Sequence, residues 1–208
     1  DEEDLIIVLV SGGGSALLNY PENEYIQGTK LYDSFLKTGK TISVINTVRK
    51  HLSLLKGGGL AKIAYPATII GLIFSDVPGD VFEDVASGPT YKDKTTVADA
   101  QKIIDENNLG KFELIKTPKE DKYFDKVYNF VLVSNKTAVK AMEKKAEEFG
   151  LGANIISTEL YDETNRALDK IFAAKKNNSV ILAAGEPRIV VKKGGGKGAR
   201  NLHMGLEV

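Results

Sequence analysis

The sequence lacks cysteine, and none of its hydrophobic runs approaches the ~20 residues that a membrane-spanning helix needs. Without cysteine, disulfides, thiolate metal sites and a cysteine nucleophile are excluded, and the composition suits a cytoplasmic protein. An excess of one charge sign is lacking too, because 28 basic side chains balance 28 acidic ones among the 208 residues. This balance gives no electrostatic reason to expect nucleic acid or an anionic membrane as a partner.

Three common catalytic and nucleotide-binding motifs are also absent. The chain has no GxxxxGK[ST] phosphate loop, no GxGxxG fingerprint after its first predicted strand and no GxSxG nucleophile elbow. A P-loop site is therefore excluded, and a nicotinamide site is disfavoured.

Buried-strand patterns and helical periods alternate along the chain. The pattern predicts strands at Leu5–Val10, Ala67–Phe74, Tyr128–Val133, Ala153–Ser157 and Val180–Ala184, and helices at 25–38, 43–56, 95–108, 137–149 and 163–175. This order is typical of an α/β fold with a mostly parallel sheet. The first strand is apolar without alternation, so we expect it to be buried on both faces.

The first strand ends in a glycine-rich loop, Ser11–Ser15, which leads towards a helix. Its backbone N–H groups are unshielded by side chains, which favours binding of an anion. A plain glycine-rich turn is the alternative.

Polar, small residues also follow other strands. They occupy Ser75–Asp80, Ser134–Lys136 and Gly185–Glu186. Because ligands of open α/β sheets lie beyond the carboxyl ends of the strands, we expect these loops and Ser11–Ser15 to share one edge.

The 43–56 helix carries a polar stripe beside its apolar one. The stripe consists of Asn46, Arg49, Ser53 and Lys56, so two cations lie at the margin of the predicted core. Such cations recognise phosphate or carboxylate, unless their alkyl stems simply cover the core edge. Lys50 and His51 point further round the helix, and we expect them to be solvated.

Acidic and basic residues elsewhere suit phosphoryl chemistry. Asp76 and Asp80 could hold Mg²⁺ through oxygen ligands or could merely cap backbone groups, and Glu186 is a similar case. Arg200 follows a glycine cluster, Gly194–Gly198, that includes Lys197, and could steady a phosphoryl group in transfer.

Four ordered motifs resemble one family closely. They are Ser11 to Leu18 (SGGGSALL), Ile45 to Gly58 (INTVRKHLSLLKGG), Ser75 to Asp80 (SDVPGD) and Ala86 to Thr90 (ASGPT). Together they are similar to the class II glycerate kinases, the glycerate 2-kinase family with a C-terminal MOFRL domain. Residues 184–201 resemble the start of that second domain.

The resemblance implies a Rossmann-like three-layer α/β/α domain over residues 1–177 and the beginning of the MOFRL-type domain over 178–208. It implies ATP- and Mg²⁺-dependent phosphorylation of D-glycerate, usually to 2-phosphoglycerate. We predict catalytic roles for Arg200 and Lys197 and metal binding by Asp76 and Asp80. The predicted substrate- and nucleotide-binding residues are Ser11, Gly12, Gly13, Gly14, Ser15, Asn46, Arg49, Lys56, Gly57, Gly58, Gly88 and Glu186.

The sequence departs from the family pattern in its last part. Pro187 and Arg188 stand where two threonines are usual, Ala199 replaces a glycine, and Leu202-His203 replaces a Gln-Glu pair. Family motifs expected upstream (Gly-Lys-Ala) and downstream (Thr-Asp-Gly) are missing, so we expect a fragment with an incomplete active site. The alternatives are a hydroxypyruvate reductase and a non-catalytic anion- or nucleotide-binding module; a homo-oligomer is left open.

Overall fold

The computed structural model describes residues 1–35, 42–77, 79, 81–189 and 200–207. Within them the chain forms two compact units. The first unit contains residues 1–75 and 81–132, and the second contains residues 76–80 and 133–208. Both combine helices with parallel strands, which confirms the predicted α/β class.

The first unit is built on a three-stranded sheet in the order β1-β2-β3, formed by β1 (Leu5–Ser11), β2 (Thr68–Phe74) and β3 (Val127–Val133). β1 and β2 are parallel, with Leu5 opposite Thr68 and Ser11 opposite Phe74. The predicted bounds of all three strands lie within two residues of the observed ones. The loops after β1 and β2 therefore begin at the same edge of the sheet, as predicted for these two.

The described part of this unit contains five α-helices, three of which contribute to an apolar core. They are α1 (Gly14–Leu17), α2 (Glu22–Phe35), α3 (Ile42–Lys50), α4 (Gly59–Ala64) and α5 (Val97–Glu106). The core joins α2, α3 and α5 through Leu31, Phe35, Ile45, Val48, Leu52, Ile104 and Leu109. α5 begins with a capping box in which Thr96 and Asp99 each bond to the other's backbone N–H.

The helix predicted over 43–56 is too long by one and a half turns, because α3 ends at Lys50. The hydroxyl of Ser53 accepts hydrogen bonds from the backbone N–H groups of Leu55 and Lys56, both at 3.1 Å. Such local side-chain bonds compete with the helical pattern, and Gly57 and Gly58 then continue the turn with positive φ. The predicted stripe of Asn46, Arg49, Ser53 and Lys56 is consequently not a helix face.

The expectation that β1 is buried on both faces is wrong for this structure. Ile7 is 60% exposed and Leu9 is 71% exposed, whereas Val10 is buried. Alternate residues of all three strands give one solvent-accessible apolar surface, here called the open face, composed of Leu5, Ile7, Leu9, Ile70, Leu72, Phe74, Tyr128, Phe130 and Leu132. The opposite face is covered at the central strand, where Ile69 and Ile73 are buried, while Ile6 beside Ile69 on the edge strand β1 is 36% exposed.

The second unit contains a two-stranded parallel sheet of β4 (Gly152–Leu160) and β5 (Ser179–Gly185). Its helices in the described residues are α6 (Asn135–Glu148), α7 (Thr164–Ala173) and α8 (Arg200–Leu206). The predicted boundary between the two domains, after residue 177, falls between β4 and β5, which pair in one sheet. The two compact units therefore have other bounds than the predicted domains. That domain assignment stays a prediction. No helix in the described parts of either unit is both long and apolar enough to cross a bilayer.

Candidate anion-binding site

A chain of three polar side chains joins the first glycine loop to two distant segments. The hydroxyl of Ser87 donates to Oδ1 of Asn46 on α3 at 3.2 Å and lies 2.9 Å from the hydroxyl of Ser15. A hydroxyl has one hydrogen, so Ser15 is the donor to Ser87. Asn46 and Ser87 are buried, and the structure thus brings together two predicted residues, Ser15 and Asn46, through one that the prediction did not include.

Gly57 and Gly58, here called the second glycine loop, pack against the segment that carries Ser87. Gly57 N–H donates to the carbonyl of Ser87 at 2.9 Å, and Gly58 N–H donates to the carbonyl of Gly88 at 2.8 Å. The predicted residues Gly57, Gly58 and Gly88 therefore lie beside one another. The two amides are bonded to protein, so their role here is to join two loops.

The segment that carries Ser87 has an unusual backbone. Ala86, Ser87 and Gly88 have φ values of 51°, 60° and 63°, three consecutive residues in the left-handed region. For a residue other than glycine this conformation costs roughly 1–3 kcal/mol and is concentrated at functional sites. Gly14 permits a close approach here, because a Cβ at that position would lie 2.7 Å from Cβ of Ala86.

Arg49 lies one helical turn beyond Asn46 and is half-buried. Burial lowers the pKa of its guanidinium, and the nearby Tyr32 offsets that only partly. Within the described residues, Arg49 makes no ion pair with a carboxylate. A desolvated cation without an anionic partner favours binding of a carboxylate or phosphate group.

Lys56 was predicted to lie at the margin of the core and to bind an anion, but the structure buries its ammonium group among protein partners. Its side chain is 1% exposed, forms an ion pair with buried Glu24 and donates to the carbonyl of Leu18 and to Oδ1 of Asn19. Burial lowers the pKa of Lys56, while Glu24 raises it and Arg49 adds a smaller lowering effect. An ammonium has three hydrogens, and these three partners occupy them. Lys56 thus ties the chain between α1 and α2 to the second glycine loop.

Lys50 and His51, which we expected to be solvated, are buried around Asp93. His51 contacts the carbonyl of Ile115 through Nδ1 at 2.8 Å and the hydroxyl of Thr95 through Nε2 at 3.2 Å. Lys50 lies 3.7 Å from Asp93. The prediction of solvation is wrong because the segment that carries Asp84 and Asp93, distant in sequence, packs against the end of α3 and covers both side chains.

Asp93 is the centre of this cluster, and its side chain is 1% exposed. Burial by itself raises the pKa of Asp93, but hydrogen bonds from Thr95 and Thr117 and the charge of Lys119 outweigh it, so the pKa is lowered. A buried carboxylate needs such partners. The cluster fixes the segments on both sides of a cavity of about 250 Å³, which is lined by Thr47, Lys50, Val81, Glu83, Asp84, Gly88, Tyr91, Lys92, Asp93, Lys94 and Thr95.

The remaining predicted residues belong to the second unit or fall outside the described chain. Asp76 is exposed, and Arg200 forms an ion pair with Glu186 at 3.2 Å, both side chains being about half exposed. Asp80, Lys197 and the Gly194–Gly198 cluster lie outside the described residues. Among the residues that are described, no three His, Asp or Glu side chains are grouped closely enough to hold a metal ion.

The first glycine loop presents its backbone to solvent. Ser11 and Gly12 are exposed, and Gly13 has a φ of +81°, which ends the strand and begins α1. A Cβ at Gly13 would meet nothing within 4 Å, so the backbone here faces open space.

Fold and contacts together define an α/β protein in which the glycine-rich loop after a parallel strand, the glycine pair before α4 and the Ser87 segment meet at a hydrogen-bond chain, with a half-buried arginine one helical turn from Asn46. Residues 1–120 match the family model described as a domain of unknown function, DUF4147. The match covers more than half of the chain, which therefore belongs to this family.

Named relatives give that family a chemical context. The chain is 37% identical to the glycerate 2-kinase of Pyrococcus horikoshii, over 99% of this chain and 52% of the relative. The crystal structure of glycerate kinase from Thermotoga maritima superposes with a TM-score of 0.80 at 32% identity, over 99% of this chain and 53% of that one. These matches confirm the predicted resemblance to glycerate 2-kinases. The chain spans about half the length of the relatives it matches.

A third relative bears on the alternative function. A putative hydroxypyruvate reductase of Agrobacterium vitis is 52% identical, but the match covers 49% of this chain and 24% of the relative. The matches to the Pyrococcus horikoshii and Thermotoga maritima kinases extend over 99% of the chain, and the reductase match does not.

Proposed function

We propose that this chain belongs to an ATP-dependent kinase that phosphorylates D-glycerate, giving 2-phosphoglycerate. In that reaction the 2-hydroxyl oxygen bonds to the γ-phosphorus, the bond from that phosphorus to the β-phosphate oxygen breaks, and ADP leaves. The hydroxyl proton is released. The observation that carries the proposal is the match to glycerate 2-kinases over 99% of the chain.

The Ser15–Ser87–Asn46 chain and Arg49 support the proposal, because both reactants are anions. Arg49 is the residue we assign to an anionic group, either the carboxylate of glycerate or a phosphate of the nucleotide. Ser15, Gly13 and Gly14 would face the same ligand from the loop after β1. Lys56 and the amides of Gly57 and Gly58 would act indirectly, by holding these loops in place.

The second unit carries further residues that the sequence indicates for phosphoryl chemistry. The carboxylate of Asp76 is an oxygen ligand of the type that Mg²⁺ prefers, and with Asp80 it would hold the ion. Bound Mg²⁺ would neutralise charge on the transferred phosphoryl group. Arg200 and Lys197 would stabilise a phosphoryl group in transfer, and Glu186 would orient Arg200 through their ion pair.

The proposal is tested by phosphorus NMR on the polypeptide that the natural gene encodes, incubated with MgATP and D-glycerate. We expect a new phosphomonoester signal coupled to a single CH proton, as in 2-phosphoglycerate. Coupling to a CH₂ group would assign the 3-phosphate instead. If ATP stays intact while glycerate is present, the kinase proposal is wrong.

Two alternatives have their own readouts. A hydroxypyruvate reductase would consume NAD(P)H, measured by absorbance, and is disfavoured because the dinucleotide fingerprint is absent after β1. A binding module would retain affinity for MgATP without turnover. A cytoplasmic location and a homo-oligomeric state remain predictions.

A further inference from the structure

The hydrogen-bond chain from Ser15 through Ser87 to Asn46 has a fixed direction. The Ser87 hydroxyl donates to Oδ1 of Asn46 at 3.2 Å, and an amide oxygen only accepts. Ser87 is 0% exposed and Asn46 is 4% exposed, so water does not replace either partner. Because this bond uses the single hydrogen of Ser87, the 2.9 Å contact between the two serine hydroxyls uses the hydrogen of Ser15.

This direction determines what Ser15 offers to a ligand. Its hydroxyl has one hydrogen, which is directed to Ser87, and two lone pairs. Among the residues that the structure describes, the Ser15 hydroxyl has no second hydrogen-bond partner. Ser15 is half-buried, whereas Ser87 is fully buried, so the Ser15 side chain is accessible from outside. The oxygen of Ser15 can therefore accept a hydrogen bond from a ligand, but it has no hydrogen left to donate.

The backbone places Ser15 next to the exposed part of the first glycine loop. Gly12 and Gly13 are exposed, and a Cβ at Gly13 would meet nothing within 4 Å. At Gly14 a Cβ would lie 2.7 Å from Cβ of Ala86, so the absence of a side chain lets the loop approach the Ser87 segment. Ligands of α/β proteins bind beyond the carboxyl ends of the strands, where this loop begins.

The chain of hydroxyls cannot carry a proton away from a reacting group. A proton taken up by Ser15 would have to displace one to Ser87 and from there to the amide oxygen of Asn46. Neither a serine hydroxyl nor an amide oxygen is basic near pH 7, whereas a general base needs a pKa close to the working pH. Ser15 is therefore suited to bind a hydroxyl that keeps its proton during the reaction.

We propose that the oxygen of Ser15 accepts a hydrogen bond from a ligand hydroxyl that is not phosphorylated, and that Ser87 and Asn46 are positioning residues that fix this polarity. The inference rests on the proposed function, in which ATP phosphorylates the 2-hydroxyl of D-glycerate. The group bound is then the 3-hydroxyl of glycerate or a ribose hydroxyl of ATP. An anionic oxygen needs a donor, so Ser15 and Arg49 serve different groups of the ligand.

The test measures selection for the hydroxyl by the polypeptide that the natural gene encodes. We compare kcat/KM for D-glycerate with that for its analogue carrying fluorine in place of the 3-hydroxyl, which is similar in size but cannot donate. ATP is compared with its 2′-deoxy and 3′-deoxy analogues in the same way. Each preference is a ratio within one protein, so a smaller folded fraction in a variant cancels.

Ser15→Ala is expected to reduce one of these preferences by about tenfold or more, because the analogue no longer leaves an acceptor unpaired. A reduced preference for glycerate over its fluoro analogue identifies the 3-hydroxyl as the group bound. A reduced preference for ATP over a deoxy analogue identifies a ribose hydroxyl. If both preferences equal those of the wild type, the proposal is wrong.

Ser87→Ala tests the positioning role, because it removes the acceptor of the Ser15 hydrogen while Ser15 keeps its oxygen. The released hydroxyl can donate as well as accept, so the preference should fall between those of the wild type and Ser15→Ala. A purely structural role would lower kcat/KM equally for substrate and analogue and would overturn this part of the proposal. The control is Thr29→Ala, which removes an exposed hydroxyl that donates to the carbonyl of Tyr25 within α2 and should keep both preferences.

The turnover of D-glycerate by the wild type separates this inference from the proposed function. Without turnover, the kinase proposal is wrong and the inference fails with it. With turnover, preferences that Ser15→Ala leaves unchanged contradict the inference alone.

Discussion

At the scale of single residues, Ser87 is the link between three segments that are distant in sequence. Its hydroxyl contacts Ser15 and Asn46, and its carbonyl accepts from Gly57. It holds this position in a left-handed conformation. Substitutions at Ser87 can therefore separate two effects on stability. One is the loss of the hydroxyl's hydrogen bonds, and the other is the removal of the backbone strain of a left-handed residue.

We predict that Ser87→Ala lowers the free energy of unfolding by about 1–3 kcal/mol, because Oδ1 of buried Asn46 loses its donor. Ser87→Gly loses the same bonds but relieves a left-handed residue, so it should be about 1 kcal/mol more stable than Ser87→Ala. Urea denaturation measures both. Ser11→Ala, at an exposed serine, is the control and should change stability by less than about 0.5 kcal/mol. An order of stability with Ala above Gly would contradict the argument.

Arg49 gives a residue-scale prediction in which stability and activity move in different directions. Its guanidinium is desolvated and lacks a carboxylate partner in the described chain, so Arg49→Ala should leave stability unchanged or slightly higher. Loss of an anion contact should lower kcat/KM of the natural gene product by roughly 10²-fold.

The control for Arg49 is Lys102→Ala, which removes an exposed cation from α5. It should affect neither quantity. If Arg49→Ala keeps full turnover, Arg49 does not bind substrate or nucleotide.

At the scale of elements, two glycines begin helices with nearly the same backbone but different surroundings. Gly13 precedes α1 with φ +81°, and Gly58 precedes α4 with φ +85°. A Cβ at Gly13 meets nothing within 4 Å, whereas at Gly58 it would lie 2.6 Å from the Phe124 ring and 2.9 Å from the carbonyl oxygen of Tyr91.

We therefore predict that Gly13→Ala costs about 1 kcal/mol, the penalty of the left-handed conformation alone. Gly58→Ala should cost about 2–4 kcal/mol, because a steric clash with backbone is added. Thermal and urea unfolding provide the comparison. Equal costs at the two positions would mean that the loop around Gly58 can move aside.

The Asp93 cluster joins the end of α3 to the segments around Thr95 and Thr117, and it predicts a pH dependence. The pKa of Asp93 is lowered in the folded protein, so its ionised form contributes stability above its ordinary value of 3.8. That contribution is lost as the pH falls through the lower folded value. Asp93→Asn should cost roughly 3 kcal/mol at pH 7, because buried charge partners are left unpaired.

The measurement for Asp93 is the free energy of unfolding between pH 2 and pH 7. Below the ordinary value the wild type should lose stability more steeply than Asp93→Asn, whose residual slope comes from other carboxylates with lowered pKa, such as Asp99 and Asp162. Lys50, His51 and Lys119 surround Asp93, with side-chain nitrogens 3.7, 3.6 and 3.4 Å from its carboxylate oxygens. Parallel curves for the two proteins would refute a role for ionised Asp93.

At the scale of the whole molecule, the chain combines zero formal net charge at pH 7 with an open apolar face. Both features favour non-specific association. We predict that the 208-residue chain is least soluble near pH 7 and more soluble at pH 5 and pH 9, as measured by light scattering. Ile7→Lys should raise the solubility near pH 7, and Ile63→Lys, at a similarly exposed residue of α4, should raise it less. If the solubility does not depend on pH, net charge does not control the association of the chain.

The sequence by itself determined the order of the elements and the family. Strand and helix patterns depend on neighbouring residues, so the bounds of β1, β2 and β3 and most helices follow from local periodicity. Each of the four family motifs is a contiguous stretch, which is why the amino-acid sequence suffices to recognise the resemblance. The convergence of Ser11–Ser15 with the Ala86–Thr90 motif was not predictable in detail, although both segments were identified.

Only the tertiary structure decided which polar groups are satisfied inside the protein and which surfaces are left open. Ser15 contacts Ser87 across 72 positions, His51 contacts Ile115 across 64, and Lys56 pairs with Glu24 across 32. No local period encodes such contacts. The end of α3 at Lys50 and the side-chain turn at Ser53 broke the predicted polar stripe. Lys50 and His51, predicted to be solvated, are buried beside Asp93. The open face shows the converse, because β1 carries the apolar pattern of a strand buried on both faces, yet Ile7 and Leu9 are exposed in the structure.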